Sequence, residues 1–364
     1  MAISSTAACR RLIASAAVLA LAVAGLAGDG HGQATQPVTF IVVNNLFSTP
    51  GYVAAENGYW AKQGLNVNVK LTSSGRAVVQ AVQAGDAQFG HAAFSTTIAS
   101  ARASGNLLKG VMAYYNAGDY IAKAGGRAII GRKDRGIDAG NPKSMEAKKI
   151  AYLTGSTNEV YLREWFRKNK LDIAKSQLVS VPIENMPITI TQGLVDAAAP
   201  WEPYTAQAIR ELGPNAVVVS RGAAGLVADI IGVVANEDWI KKNYDFIEKF
   251  ATGIAEATLF VRQHPKQSAD IATRFLDGLN IADATDGIKW LDWDPRVSVC
   301  TVEGLVRTGN EMIQTGLIKK DKPFAGEDFY DDTVFKRVAD KHPEFFADLA
   351  PLPKTLAECK GPLD

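Results

Sequence analysis

The chain has 364 residues, and its 39 lysines and arginines against 38 aspartates and glutamates give a formal net charge of +1. This balance argues against nucleic acid or an anionic membrane surface as the main partner. The length exceeds what one hydrophobic core usually serves, so we expect two lobes.

The first 34 residues have the three parts of an export signal. Arg10 and Arg11 give a basic start, an apolar stretch runs from Leu12 to about Ala27, and small residues follow up to Ala34. The apolar stretch is shorter than the roughly 18 to 20 residues of a membrane span. We therefore predict a signal peptide over 1–34, with the Sec and twin-arginine routes both open.

Strand and helix patterns alternate from residue 38 onward. Strands are predicted at VTFIVVN (38–44), LNVNVKL (65–71), AQFGHAA (87–93) and LLKGVMAYY (107–115). The helices predicted between them, at 50–64, 75–85 and 95–105, each end at a glycine. This βαβαβαβ order predicts a mostly parallel sheet covered by helices, with ligands at the carboxyl ends of the strands.

The second half of the chain repeats this plan. Strands are predicted at 127–131, 148–153, 177–182, 194–201, 215–220 and 226–235, and helical patterns dominate beyond residue 236. The Gly/Ala-rich segments 117–127 and 220–226 are predicted to carry the chain between two lobes. Residues 35–120 and 225–364 then form lobe 1, and residues 121–224 form lobe 2.

Two segments at corresponding places support this repeat. QAGDAQFGHAAFST (83–96) and QGLVDAAAPWEPYT (192–205) both run from Gln and Gly through Asp-Ala into a buried strand that ends at an aromatic residue. The alignment places Phe94 and Trp201 at equivalent strand ends. Packing remains an alternative for each.

The segments 50–67 (PGYVAAENGYWAKQGLNV), 82–92 (VQAGDAQFGHA), 155–171 (GSTNEVYLREWFRKNKL) and 195–204 (VDAAAPWEPY) resemble the substrate-binding proteins of ABC transporters for nitrate, taurine and aliphatic sulfonates, and the related thiamine-precursor binders. The resemblance covers about residues 38–265. It implies a type II-like periplasmic binding protein: two α/β lobes, with the ligand in the cleft between them. We expect a periplasmic monomer without a cofactor, which captures a small solute for a membrane permease and ATPase.

Residues near the ends of predicted strands are the candidate ligand contacts. The serines and the threonine among them also precede helices, whose N-termini favour anions or polar oxygens, although ordinary capping explains them equally. The candidates are Asn45, Phe47, Ser48, Ser74, His91, Phe94, Ser95, Tyr115, Ser156, Thr157, Trp201 and Glu202.

The identity of the solute depends on charge. Only Arg76 lies beside a candidate loop, and Glu202 would oppose a bare anion if it faced the cleft. A taurine-like zwitterion would place its sulfonate at the helix ends and its ammonium at Glu202. A sulfonate or taurine-like solute is therefore the leading prediction, while a pyrimidine, nitrate, or an exported enzyme or sensor on the same fold stay open.

Two cysteines, Cys300 and Cys359, follow the predicted signal peptide. An oxidising compartment permits one disulfide between them, with two separate thiols as the alternative. The histidines show no spacing typical of a metal site, and the sequence has neither a GxSxG nucleophile motif nor a P-loop. We therefore expect a binding protein rather than an enzyme.

Overall fold

A computed structural model describes residues 37–117, 125–222 and 225–359. The predicted signal peptide, and parts of both segments predicted to cross between the lobes, lie outside these residues. Among the helices of the described ranges, none is both long enough and apolar enough to cross a membrane.

The described strands form two five-stranded sheets. The first contains β1 (Val38–Val43), β2 (Val67–Thr72), β3 (Phe89–Ala93), β4 (Leu108–Ala117) and β10 (Asp229–Asn236), in the order β2-β1-β3-β10-β4. The second contains β5 (Ala128–Arg132), β6 (Lys149–Tyr152), β7 (Gln177–Ser180), β8 (Ala197–Ala198) and β9 (Ala216–Arg221), in the order β7-β6-β8-β5-β9.

Both sheets have the same pairing pattern, as the predicted repeat requires. β1 pairs in parallel with β2 and β3, and β6 with β7 and β8, whereas β10 and β5 run antiparallel to both of their neighbours. Each sheet is therefore mixed rather than mostly parallel. The reason is the chain order: β5 follows β4 of the first sheet and β10 follows β9 of the second, so each enters its sheet at the carboxyl edge of the parallel strands and runs back against them.

The helices cover the sheets, and after β10 the described chain is mainly helical. They are α1 (Thr49–Glu56), α2 (Tyr59–Lys62), α3 (Gly75–Ala84), α4 (Ala99–Ala103), α5 (Thr157–Lys168), α6 (Met186–Thr191), α7 (Tyr204–Leu212), α8 (Glu237–Ile240), α9 (Tyr244–Gln263), α10 (Pro265–Phe275), α11 (Ile281–Ile288), α12 (Val299–Gln314) and α13 (Thr333–Lys341). A π-helical turn, Phe94–Ile98, joins β3 to α4.

The late helices return to the first sheet. Trp60 of α2 stacks on Phe250 of α9 with ring centroids 4.9 Å apart, and its indole N–H donates to the Phe250 carbonyl at 3.0 Å. A Cβ at Gly253 would lie 2.5 Å from the Trp60 ring, so this position of α9 requires glycine. Aromatic burial of this kind fixes α9 against the first lobe.

Helix α11 and the residues after it connect the late helices to the second sheet. Arg210 of α7 donates through two nitrogens to the Asp283 carboxylate of α11, both at 2.8 Å. The Arg221 guanidinium of β9 lies 4.1 Å from the Trp290 ring centroid. These contacts join the late helices to the second lobe.

A disulfide bond joins Cys300, near the start of α12, to Cys359 in the C-terminal segment, with the two Cα atoms 5.8 Å apart. Cys300 is buried. The C-terminal segment is thereby attached covalently to the helix that packs beside the π-helical turn.

Candidate functional site

A cavity of about 300 Å³ lies between the two sheets, at the carboxyl ends of their parallel strands. Its walls come from both lobes, as the interlobe cleft predicts. The lining residues are Val43, Asn45, Phe47, Ser74, Gly75, Arg76, His91, Ala92, Ala93, Thr97, Arg127, Leu153, Thr154, Gly155, Ser156, Thr157, Trp201 and Ile231.

Two helices begin at the cavity, one from each lobe. Ser74 caps α3, where its hydroxyl accepts from the Ala77 N–H at 3.4 Å, and Ser156 caps α5 by accepting from the Glu159 N–H at 3.3 Å. Gly155 precedes the α5 cap with φ of +72°, a backbone conformation that favours glycine. Both helix N-termini therefore bring partial positive charge to the cavity.

A hydrogen bond between two threonines joins the lobes beside the cavity. The hydroxyls of Thr96, in the π-helical turn, and Thr157, at the start of α5, lie 2.6 Å apart. The Thr96–Thr157 pair therefore brings the two lobes into contact at this point. Thr97 from the same turn lines the cavity, and a Cβ at Gly75 of the same lobe would lie 2.9 Å from its hydroxyl oxygen.

Arg127 places a buried cation in the cavity wall. It is 3% exposed, donates to the Asn158 side-chain carbonyl, and its guanidinium carbon lies 5.3 Å from the Phe47 ring centroid and 5.8 Å from that of Trp201. The two rings come from different lobes, so the guanidinium is held between them. None of the described lining residues is an aspartate or glutamate.

His91 lines the cavity as a neutral imidazole. Its Nδ1 is hydrogen-bonded to the Tyr114 hydroxyl and lies 3.2 Å from the Ser48 hydroxyl. Burial, with a smaller contribution from the Arg127 charge, lowers the pKa of His91 to about 3. Because Nδ1 is engaged inside the lobe, Nε2 is the ring nitrogen left for a ligand.

Several predicted contact residues lie behind the wall rather than in it. Ser48 donates to the Val43 carbonyl at 2.7 Å, and the Ser95 hydroxyl donates to the Ala228 carbonyl at 2.6 Å. Phe94 is fully buried and packs on Gly110, where a Cβ would lie 2.5 Å from its ring. The π-helical turn explains the difference, since it directs Phe94 and Ser95 into the lobe and Thr97 to the cavity.

Tyr115 is also outside the wall. Its ring is fully buried, 4.7 Å from the Phe47 ring centroid. Tyr115 therefore packs behind Phe47, which lines the cavity. The equivalence predicted for Phe94 and Trp201 holds for their place in the chain, but only Trp201 lines the cavity.

Glu202 is turned away from the cavity and is 0% exposed. Its carboxylate accepts from Arg221 at 2.6 Å and from the Ala206 N–H at 3.1 Å. Burial raises the pKa of Glu202 to about 7, against the opposing effect of the Arg221 charge. The expectation of a Glu202 that faces the solute is therefore not met, because Arg221 and the Ala206 N–H hold its carboxylate away from the cavity.

The family model described as NMT1/THI5 like matches residues 45–268. The chain belongs to this family. Two Brucella proteins, from B. abortus (strain 2308) and B. suis biovar 1, each carry the name "Putative binding protein" and are 25% identical over 235 residues. The match covers 62% of this chain and 66% of each relative, less than two thirds of the relatives' length.

Solved structures share the fold. The periplasmic aliphatic sulphonate-binding protein SsuA of Escherichia coli has a TM-score of 0.68 at 17% identity, over 81% of this chain and 92% of that one. The nitrate-binding protein NrtA of Synechocystis has a TM-score of 0.65 at 13% identity, over 85% and 89%. The alkanesulfonate-binding SsuA of Xanthomonas axonopodis pv. citri, bound to MOPS, has 0.66 at 15%, over 78% and 94%. The predicted two-lobed periplasmic-binding-protein fold is confirmed.

Neither Arg127 nor Thr97 was predicted from the sequence. Arg127 directly follows the glycine pair of the first predicted crossing, and a charged residue that opens a buried strand was the available signal. The described residues contain no group of three or more His, Cys, Asp or Glu side chains able to hold a metal ion.

Proposed function

We propose that the protein is the solute-binding component of an ABC importer, exported to the periplasm by residues 1–34, and that its ligand is a small organic anion with a sulfonate-like head and an apolar body. We further propose that it delivers this solute to a permease and ATPase and is not an enzyme. Family membership and the shared fold support a binding protein. The observation that carries the choice of ligand is the buried Arg127 in a cavity whose described lining contains no carboxylate.

Arg127 suits an oxyanion for electrostatic and geometric reasons. A guanidinium presents several N–H donors in a plane, which matches the oxygens of a sulfonate or carboxylate. Burial removes most of the competing water, so its interaction with an anion is stronger than at the surface. The predicted ammonium partner, Glu202, is already paired with Arg221. These contacts favour an anion over a taurine-like zwitterion.

Neutral polar groups complete the proposed head-group site. The hydroxyls of Ser74 and Thr157 and the amide of Asn45 lie in the same wall, beside two helix N-termini, whereas the Ser156 hydroxyl already donates to the Leu153 carbonyl at 2.7 Å. The Trp201 indole N–H is buried and has no hydrogen-bond partner within the described part of the chain. A ligand oxygen at this position would satisfy it.

The size and apolar part of the cavity favour an organic anion over nitrate. Since a water molecule takes up about 30 Å³ of liquid, a four-atom anion would fill only a small part of about 300 Å³. Val43, Ala92, Ala93 and Ile231 give the wall its apolar area, next to the rings of Phe47 and Trp201. These side chains suit a short alkyl or aromatic body.

Calorimetric titration of the purified protein with 1-butanesulfonate, taurine, nitrate and 1-butylamine tests the proposal. We expect butanesulfonate to bind most tightly. Arg127→Gln should weaken it by about 10- to 100-fold, since a hydrogen bond to a charged group contributes about 1.5–3 kcal/mol. Arg337→Gln removes a cation of α13 outside the lining and is the matched control. Failure of every anion to bind, or an unchanged Kd in the Arg127 variant, would contradict the proposal.

A further inference from the structure

A second, larger groove adjoins the cavity. Its volume is about 670 Å³, and three residues, Arg76, Thr97 and Gly155, line both the cavity and the groove. The two spaces are therefore neighbours across a shared wall formed by both lobes. A solute longer than the cavity has room to extend into the groove.

Arg76 lies at the junction of the two spaces. It projects from α3 of the first lobe toward the loop before α5 of the second, because a Cβ at Gly155 would lie 3.4 Å from its Nη2 atom. Arg76 has no ion-pair or hydrogen-bond partner in the ranges that the structure describes. Its charge is therefore not neutralised by a described side chain.

Lys319 provides a second cation in the groove. It also has no ion-pair or hydrogen-bond partner among the described residues, and the described lining includes no aspartate or glutamate. The remaining polar wall consists of hydrogen-bonding side chains: Gln80, Gln83, Ser100, Ser104 and Asn106. The groove is thus cationic like the cavity, and neither Arg76 nor Lys319 is paired with a side chain of the described ranges.

We propose that the solute is an elongated dianion, with one acidic group at Arg127 in the cavity and the other in the groove at Arg76 and Lys319. This inference rests on the proposed function, because it takes the head group at Arg127 as given. The second group neutralises the two exposed cations, and the linking chain passes through the junction between the cavity and the groove. Each exposed ion pair adds only a small amount to the binding free energy. Two of them together should therefore increase the affinity for the dianion by about tenfold.

Calorimetric titration with α,ω-alkanedisulfonates of two to six carbons, each compared with the alkanesulfonate of equal chain length, tests this inference. We expect at least one disulfonate to bind about tenfold more tightly than its matched monosulfonate. Arg76→Gln and Lys319→Gln should each reduce this preference, and Lys319→Gln should leave monosulfonate binding unchanged. Lys322→Gln, an exposed lysine nearby that does not line the groove, is the matched control and should retain the preference.

The outcomes separate this inference from the proposed function. Monosulfonate binding without any preference for a disulfonate, or a preference that survives both groove variants, overturns the dianion alone. A protein that binds neither series overturns the proposed function and the dianion with it.

Discussion

The buried His91 predicts an acid sensitivity of the folded protein. Its pKa is lowered to about 3 from the ordinary value of 6.5, by burial and then by the charge of Arg127. The unfolded chain therefore takes up a proton as the pH falls through 6.5, whereas the folded protein does so only near pH 3. The stability associated with a neutral His91 is complete above pH 6.5 and is lost progressively as the pH falls toward 3.

The size of the effect follows from the shift. One pKa unit corresponds to about 1.4 kcal/mol, so at pH 5 the unfavourable protonation difference amounts to about 2 kcal/mol. Urea unfolding of the wild type and of His91→Gln at pH 7.5 and pH 5.0 measures it. Loss of the bonds to Tyr114 and Ser48 lowers the stability of the variant at both pH values. The wild type should lose about 2 kcal/mol more than the variant between the two conditions.

A matched control isolates the buried ring. His264→Gln replaces an exposed histidine at the end of α9 and should keep the wild-type difference between pH 7.5 and pH 5.0. Equal pH dependence of the unfolding free energy in the wild type and in His91→Gln would refute the reasoning. It would mean that His91 does not cause the loss of stability between pH 7.5 and pH 5.0.

Three further variants test the packing. Gly110→Ala should lower the free energy of unfolding by about 1–3 kcal/mol, because its Cβ would lie 2.5 Å from the Phe94 ring; an unchanged melting temperature would contradict this. Cys300→Ser with Cys359→Ser should cost about 4 kcal/mol for a bond that closes 59 residues, and a loss under about 1 kcal/mol in urea unfolding would oppose it. Glu202→Gln should lower the melting temperature by removing the carboxylate that pairs with Arg221, yet leave butanesulfonate affinity within about threefold; a large loss of affinity would place Glu202 in the site.

Much of the fold could be predicted because its signals are local. The β-branched run at 38–44 became β1, the alternating segment at 65–71 became most of β2, and glycine ends the predicted helix at Gly85. The direction of β5 and β10 could not be read from such patterns. It depends on the edge at which a chain returning from the other lobe enters the sheet.

The sequence predicted the location of the site better than the direction in which individual side chains point. The rule that ligands lie at strand ends led to Asn45, Phe47 and Ser156, all in the wall. It failed at Phe94, because a π-helical turn changes which residue after a strand points outward. It missed Arg127 because the direction of a long side chain is set by contacts from another lobe, which no local pattern records.

The place of Trp201 gives the cavity an optical signal of its own. All six tryptophans of the chain lie in the described ranges, and Trp201 alone among them lines the cavity, beside the Arg127 guanidinium. An anion bound beside this guanidinium changes the electric field at the indole, to which tryptophan emission responds. Occupancy can therefore be followed by intrinsic fluorescence without a label, and Trp201→Phe identifies the part of the signal that arises in the cavity.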